Sequence, residues 1–317
     1  MASLARTTPL FIVLNVGSGH GDADSARQEI GDILRAAGQA HEFVVVAAGD
    51  QLAAAARKAV AYASQQGGAV IAAGGDGTIN TVAQAVLEAE LPFGVLPQGT
   101  FNYFGRAHGI PPETTAATQA LLRAQIKPVQ VGLVNNRVFL VNASIGLYPQ
   151  VLEDRELFKR KLGRFRLVAV IAGLVTLLRN YRMLHLNLAH DAQRQTRRTP
   201  TLFVGNNALQ LRQIGITEAE ALQRGFLVAV TPQPVRKLDM LGLVVHGLRG
   251  QLGAAQAVDS FAFKTLTVDR LRHSRRRIKV ATDGEVVRLR APLEFRISPR
   301  PLQLLVPNDT DKVLETP

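Results

Sequence analysis

The sequence predicts an α/β domain built on a doubly wound parallel sheet, followed by a mostly antiparallel β-sandwich domain. Three observations carry this. In the first third, short apolar runs alternate with helical patterns. Near Lys127-Pro128 that alternation stops, and short Val/Phe/Leu-rich runs take over. At 317 residues, 47% of them hydrophobic, the chain can bury two cores.

Taken in order, Leu10–Leu14 reads as a strand, Ser25–Ala37 as a helix, Phe43–Ala47 as a strand and Leu52–Ser64 as a helix. The strand Ala69–Ala73, a helix after Thr78, the short strand Phe93–Leu96 and a helical stretch Thr114–Ala124 follow. Strands alternating with helices of this length imply a parallel sheet whose sites lie at the C-terminal strand ends. From Val129 the strand candidates are Val138–Val141, Leu184–Leu188, Thr201–Val204, Phe226–Val230, Phe261–Val268 and Ile278–Ala281. Helical insertions are expected at 153–182 and 234–252. The domains are therefore placed at 1–127 and 128–292. The tail 293–317 is a candidate to return to the first domain, because its two short strands have no obvious partner nearby.

Composition narrows the function classes. The chain lacks cysteine, which excludes disulfides and thiolate metal sites. Leu10–Leu14 is too short for a signal-peptide core, and the longest apolar run, Leu167–Leu178, falls short of the ~20 residues of a membrane-spanning helix. A soluble or peripheral protein is expected. The net charge of +12 favours anionic partners: nucleic acid, an acidic membrane surface or phosphorylated molecules. No zinc-finger spacing or aromatic-rich RNA-binding signature accompanies it, so nucleic acid is not expected. The seven histidines show no paired ligand spacing, and no Gly-x-Ser-x-Gly elbow occurs.

Gly74-Gly75-Asp76-Gly77-Thr78 is the most telling motif. A strand that breaks into glycines and opens a helix lets backbone N–H groups approach an anion, and the helix adds the positive end of its dipole. Asp76 inside that cradle suits a metal or a hydroxyl held beside phosphates. Asn15-Val16-Gly17-Ser18-Gly19-His20-Gly21 is a second glycine-rich loop at a strand end; its bland alternative is an ordinary βα turn. Gly99-Thr100-Phe101-Asn102 follows the fourth strand, where Thr100 could cap the next helix while reaching a phosphate.

Two further segments read either way. In Thr282-Asp283-Gly284-Glu285, an extended backbone would point Asp283 and Glu285 to the same side, so that one carboxylate could sit near a metal while the other takes a proton. The commoner meaning of Asp-Gly is a β-turn with solvated acids. The stretch 155–178 places Phe158, Leu162 and Phe165 on one helical stripe with Lys159, Arg160, Arg164 and Arg166 off it. That suits an anionic lipid interface, although a surface helix packed on its own domain is the commoner meaning.

Taken together these residues resemble the diacylglycerol kinase catalytic family, which includes bacterial lipid kinases and sphingosine and ceramide kinases. Gly74–Asn80 is similar to its Gly-Gly-Asp-Gly-Thr-x-Asn nucleotide loop, and Asn15, Ser18 and Gly19 to its Asn-Pro-x-Ser-Gly opening. Gly99-Thr100 with Asn102 is similar to its Gly-Thr-x-Asn turn, and Asp283-Gly284-Glu285 to its Asp-Gly-Glu. The resemblance implies ATP- and Mg²⁺-dependent transfer of the γ-phosphoryl group to a lipid hydroxyl, with the active site in a cleft between the domains. Diacylglycerol or a similar lipid is the implied acceptor, at the cytoplasmic face of the membrane. It further implies ATP contacts from Asn15, Ser18, Gly19, Gly74, Gly75, Asp76, Gly77, Thr78, Asn80, Gly99, Thr100 and Asn102. Glu285 is the implied proton acceptor, with Asp283 and Asp76 as the other catalytic acids.

Some positions depart from the family pattern. Val16 replaces a proline and Tyr103 an aspartate. In Leu222-Gln223-Arg224-Gly225-Phe226, many bacterial members carry an Asp-Asp-Gly segment whose acids hold a structural Mg²⁺. Gln223 and Arg224 cannot supply that charge, so this metal is predicted absent. The nucleotide loop, which other kinases share, also permits a kinase of a soluble hydroxyl substrate, and the altered Gln223–Arg224 segment keeps open a nucleotide- or lipid-binding protein without catalysis.

Overall fold

The computed structural model describes residues 5, 7–16, 23–47, 49–147, 149, 183–190, 193–233, 257–270 and 277–313. The expected helices at 153–182 and 234–252 lie outside the described residues. The chain divides into two compact units, Met1–Val131 with Ser298–Thr316, and Gly132–Ile297.

The first unit opens with β1 (Leu10–Asn15), α1 (Ala23–Ala36), β2 (His41–Val46), α2 (Leu52–Gln66) and β3 (Ala69–Gly74). It continues through α3 (Asp76–Ala89), β4 (Pro92–Pro97), α4 (Tyr103–Ala107), α5 (Thr114–Leu121) and β5 (Gln125–Val129). The second unit begins with β6 (Gly132–Val134), β7 (Arg137–Phe139), β8 (Asn142–Gly146), β9 (Leu184–His190), β10 (Gln193–Thr199) and β11 (Thr201–Gly205). After α6 (Ala208–Gln213) come β12 (Leu227–Pro232), β13 (Val258–Phe263), β14 (Thr265–Arg270), β15 (Arg277–Thr282), β16 (Glu285–Arg290) and β17 (Leu293–Ile297). The last strand, β18 (Leu302–Val306), belongs to the first unit.

In the first unit the strand order is β2-β1-β3-β4-β18-β5. All neighbours are parallel except β18 and β5. Every residue of β3 and the first five of β1 are buried, as central parallel strands covered on both faces must be. That double burial is why they read as unbroken apolar runs. The chain winds from β1 to β2 on one side, then returns to β3 on the other, so the direction of winding reverses between β1 and β3. Open α/β sheets bind ligands at such a reversal. β5 carries Pro128 at the sheet edge, where a missing N–H costs no ladder bond.

The second unit is a sandwich of two antiparallel sheets, ordered β10-β9-β14-β17-β6-β7 and β13-β12-β11-β8-β15-β16. Alternation fills its core: Leu184, Leu186 and Leu188 of β9 and Phe295 of β17 meet Ile145, Leu202, Val204 and Val280 of the other sheet. Behind the second sheet, Val228 and Val230 pack on Leu211, Ile216 and Ala219, which is why β12 is buried on both faces.

Several elements differ from those expected. Val138–Val141, expected as one strand, is divided between β7 and a link to β8. Phe261–Val268 is two strands that turn at Lys264 and enter different sheets. Within the tail, β17 stays in the sandwich and only β18 joins the parallel sheet.

Candidate active site

Three turns of the first unit converge where the winding reverses. At the end of β1, Asn15 Nδ2 donates to Thr78 Oγ1 at 2.9 Å. This ties β1 to the first turn of α3, across from the end of β3. The backbone N–H of Gln98, after β4, donates to the Gly74 carbonyl at 2.9 Å. A Cβ on Gly99 would lie 2.9 Å from Gly75 Cα, and one on Gly74 would lie 2.7 Å from Thr78 Oγ1. Glycine is thus required at both places for close approach rather than for an unusual φ.

The glycine run is less of a loop than its composition suggests. α3 begins at Asp76, with extended Gly75 (φ −82°, ψ 179°) at its N-cap position. No side chain caps it, so the first-turn N–H groups are left for other acceptors, at the positive end of a 14-residue helix. Thr78 and Asn80 are buried, whereas Gly75, Asp76 and Gly77 are partly accessible. The Gln98 Nε2 donor is buried and has no hydrogen-bond partner among the described residues. Sequence reasoning overlooked Gln98, although its place directly before Gly99-Thr100 was a usable signal.

The Gly99–Asn102 turn differs from expectation. Thr100 does not cap a helix: α4 starts at Tyr103, with Asn102 at the N-cap position in the left-handed region (φ 47°). Asn102 spends its amide on Gly99, accepting from its N–H at 3.0 Å and donating to its carbonyl at 2.8 Å. It closes the turn on itself and leaves Thr100 exposed. Beside it, Phe101 is 50% exposed and stacks in parallel on Tyr103 at 6.0 Å. Ser18 and Gly19 lie outside the described residues.

In the second unit, Asp283-Gly284 forms the two-residue turn of the β15–β16 hairpin, with both residues at positive φ (46° and 90°). The backbone is therefore not extended, and the two acids have separate surroundings. The Asp283 carboxylate is not solvated either. It accepts from the backbone N–H groups of Leu140 at 2.7 Å, Val141 at 2.9 Å and Asn142 at 2.9 Å. Capturing three successive N–H groups explains the break between β7 and β8, because Leu140 and Val141 have none left for a ladder. Asn206 holds the carbonyl side of the same link through the Val141 and Leu140 oxygens.

Glu285, opposite Thr282 at the start of β16, faces Arg137, whose Nη2 donates to its Oε2 at 3.2 Å. Burial pushes the Glu285 carboxyl above the ordinary range; Arg137 opposes that and Asp283 adds to it. A raised carboxyl pKa is the direction in which such a group becomes a better proton acceptor. Nothing in the sequence signalled Arg137, which lies 148 positions from its partner.

Among the described residues no group of three or more His, Asp and Glu side chains gathers as a metal site. Gln223 and Arg224 end a 3₁₀ turn that Gly225 closes in the left-handed conformation, and the Arg224 guanidinium lies 6.0 Å from the Phe226 ring centre. No helix among the described residues is long and apolar enough to cross a membrane.

Comparison with known proteins agrees with the motifs. Residues 9–134 match the diacylglycerol kinase catalytic domain family. A protein of Synechocystis sp. (strain ATCC 27184 / PCC 6803 / Kazusa), itself uncharacterized, is 32% identical over 43% of this chain and 31% of its own length. One of Staphylococcus carnosus (strain TM300), named "Putative lipid kinase", is 39% identical over 30% of this chain and 32% of its own. The matched segment thus spans about a third of these two relatives. A "Putative lipid kinase" of Staphylococcus aureus (strain JH9) is 25% identical over 74% of this chain and 76% of its own. The crystal structure of a "putative diacylglycerol kinase" from Bacillus anthracis str. Sterne superposes with a TM-score of 0.72. It covers 96% of this chain and 98% of that one at 20% identity, which speaks for the fold. Residues 9–134 thus resemble the diacylglycerol kinase catalytic domain, and the chain as a whole shares its fold with that crystal structure.

Proposed function

We propose that this chain transfers the γ-phosphoryl group of ATP to a hydroxyl of a lipid, diacylglycerol or a close analogue, at the cytoplasmic face of the membrane. The observation that carries the reading is the convergence of the Asn15, Gly74–Asn80 and Gly99–Asn102 turns where the winding reverses. Close-packed glycines and an uncapped helix start there favour a polyphosphate over a neutral ligand. Asn15 fixes Thr78, Asn102 fixes Gly99, and Gln98 Nε2 supplies a donor still unused. Ser18, Gly19 and Thr100 complete the expected nucleotide contacts.

The donor set suits a metal carried in with the nucleotide: Asp76 is the carboxylate in the cradle, and phosphate oxygens provide the other ligands. Held there by Asp76 and the nucleotide, such an ion would supply neutralising charge to the phosphoryl group being transferred. In the transfer itself, the acceptor hydroxyl oxygen forms a bond to γ-phosphorus while the bond to the β,γ-bridging oxygen breaks. ADP leaves with that electron pair, and Glu285 takes the hydroxyl proton. Arg137 orients the Glu285 carboxylate and steadies its charged form. Asp283 acts through the backbone, holding the residue 140–142 link and the hairpin turn that presents Glu285.

The test is transfer of label from γ-labelled ATP with Mg²⁺ into mixed-micelle diacylglycerol, ceramide, sphingosine and phosphatidylglycerol, with Glu285→Gln in parallel. Label in one lipid, lost in the variant, is expected and names the acceptor. ATP binding with no label in any lipid would overturn the lipid reading.

A further inference from the structure

One face of the β15–β16 hairpin carries a cationic array. Arg277 lies directly opposite Arg290, and Lys279 opposite Arg288. Side chains alternate along a strand, so all four share one face. On the other face Ile278, Val280, Val287 and Leu289 pack on the sandwich core. Arg277, Arg288 and Arg290 are exposed, and among the described residues none of the three makes an ion pair. β16 is the edge strand of its sheet.

Like charges directly opposed across an antiparallel pair destabilise it, and here two such pairs follow each other. Guarding an edge strand against unwanted pairing explains charge, but charge of either sign serves that purpose. Alternating signs would guard the edge without repulsion. Three exposed arginines on one face, none of them ion-paired among the described residues, are explained by an anionic partner outside the protein.

We propose that this hairpin face docks on the anionic headgroups of a phospholipid bilayer. A broad two-stranded ribbon suits a planar partner. The neutral residues sharing the face, Ala281 and Val286, offer no aromatic ring on which nucleic-acid bases could stack. The choice of a bilayer rests on the lipid-kinase reading, whereas the need for an anionic partner rests on the hairpin alone. Each basic residue at an anionic surface contributes about fivefold in partitioning, so removing two costs about 25-fold.

The test uses the full chain and sedimentation with phosphatidylcholine vesicles with and without phosphatidylglycerol. Arg288→Gln/Arg290→Gln is compared with Arg194→Gln/Arg198→Gln on β10, which removes the same charge from exposed positions in the same unit. Melting temperatures no lower than the parent's establish that both variants are folded, and relief of the like-charge pairs should raise that of the hairpin variant. The expected result is binding that requires phosphatidylglycerol, falls with salt and drops about 25-fold only in the hairpin variant. Equal losses in both variants, no loss in either, or tighter binding to an RNA oligonucleotide that the hairpin variant abolishes would each overturn it. Phosphoryl transfer in non-ionic micelles, measured on the same variants, separates the two readings. Vesicle binding lost in the hairpin variant of a protein that labels no lipid upholds the docking face and rejects the kinase assignment.

Discussion

Arg137 Nη2 and Glu285 Oε2 meet at 3.2 Å from the edge strands of two different sheets, β7 of one and β16 of the other. The ion pair joins the sandwich where neither sheet has a further strand. It also sets the acidity of the proposed base, because Arg137 opposes a rise in pKa that burial chiefly causes.

Replacing Arg137 with Met should therefore raise the Glu285 pKa further and move the acid limb of kcat/KM to higher pH. A pH–rate profile checks this, and an unmoved limb would rule out Glu285 as the titrating base. A carboxyl raised on folding contributes stability below its unfolded pKa that is lost as pH rises through the folded value. Glu285→Gln should accordingly melt no lower than the parent at neutral pH while losing transfer.

Asp283 should behave in the opposite way. Asp283→Ala strips the acceptor from three backbone N–H groups in a buried link, at a cost of about 3 kcal/mol or more. Urea unfolding measures it. A midpoint unchanged from the parent would show that the link between β7 and β8 does not depend on this carboxylate.

Gly74→Ala should push Thr78 away from Asn15, since the new Cβ would stand 2.7 Å from both Thr78 Cβ and Oγ1. Overpacking of this kind costs about 1–3 kcal/mol. Calorimetry should show weaker ATP binding; affinity equal to the parent would place the nucleotide elsewhere.

His108 gives the chain an acid-sensitive point in the first unit. Burial, with the charge of Lys127 second, lowers its pKa from 6.5 to about 4, and its ring packs edge-on against Phe104 at 4.8 Å. The folded state then binds fewer protons than the unfolded one between those values, so stability present above pH 6.5 is lost as pH falls toward 4. His108→Gln should flatten the melting temperature across that interval.

What could be read from the sequence followed burial. β1 and β3 were plain because both faces are covered, and their glycine-bearing ends marked the site. β10 (Gln-Arg-Gln-Thr-Arg-Arg-Thr) carries the polar residues of a sheet edge and left no apolar signal, while β16, also an edge strand, breaks its apolar residues with arginines. The run Val138–Val141 misled because its strand is interrupted by a carboxylate far away in sequence. For Asp283 the choice between turn and catalytic acid was itself incomplete, since the residue occupies a turn and is buried in backbone hydrogen bonds. Arg137 and the Asn102–Gly99 clasp depend on tertiary contacts or turn closure that composition does not encode.

The place of β18 has a consequence for biosynthesis. Among the described residues β18 is the sole strand neighbour of β5, and it lies beside β4, yet it is made only after the whole sandwich. As the chain emerges, β5 has no partner and β4 is a temporary edge, so the first unit's sheet cannot close until Leu302–Val306 arrive. Domains that fold in order of synthesis complete the N-terminal one first; here the sandwich can be finished earlier. A chain cut short before Leu302 would leave an open parallel edge exposed to aggregation.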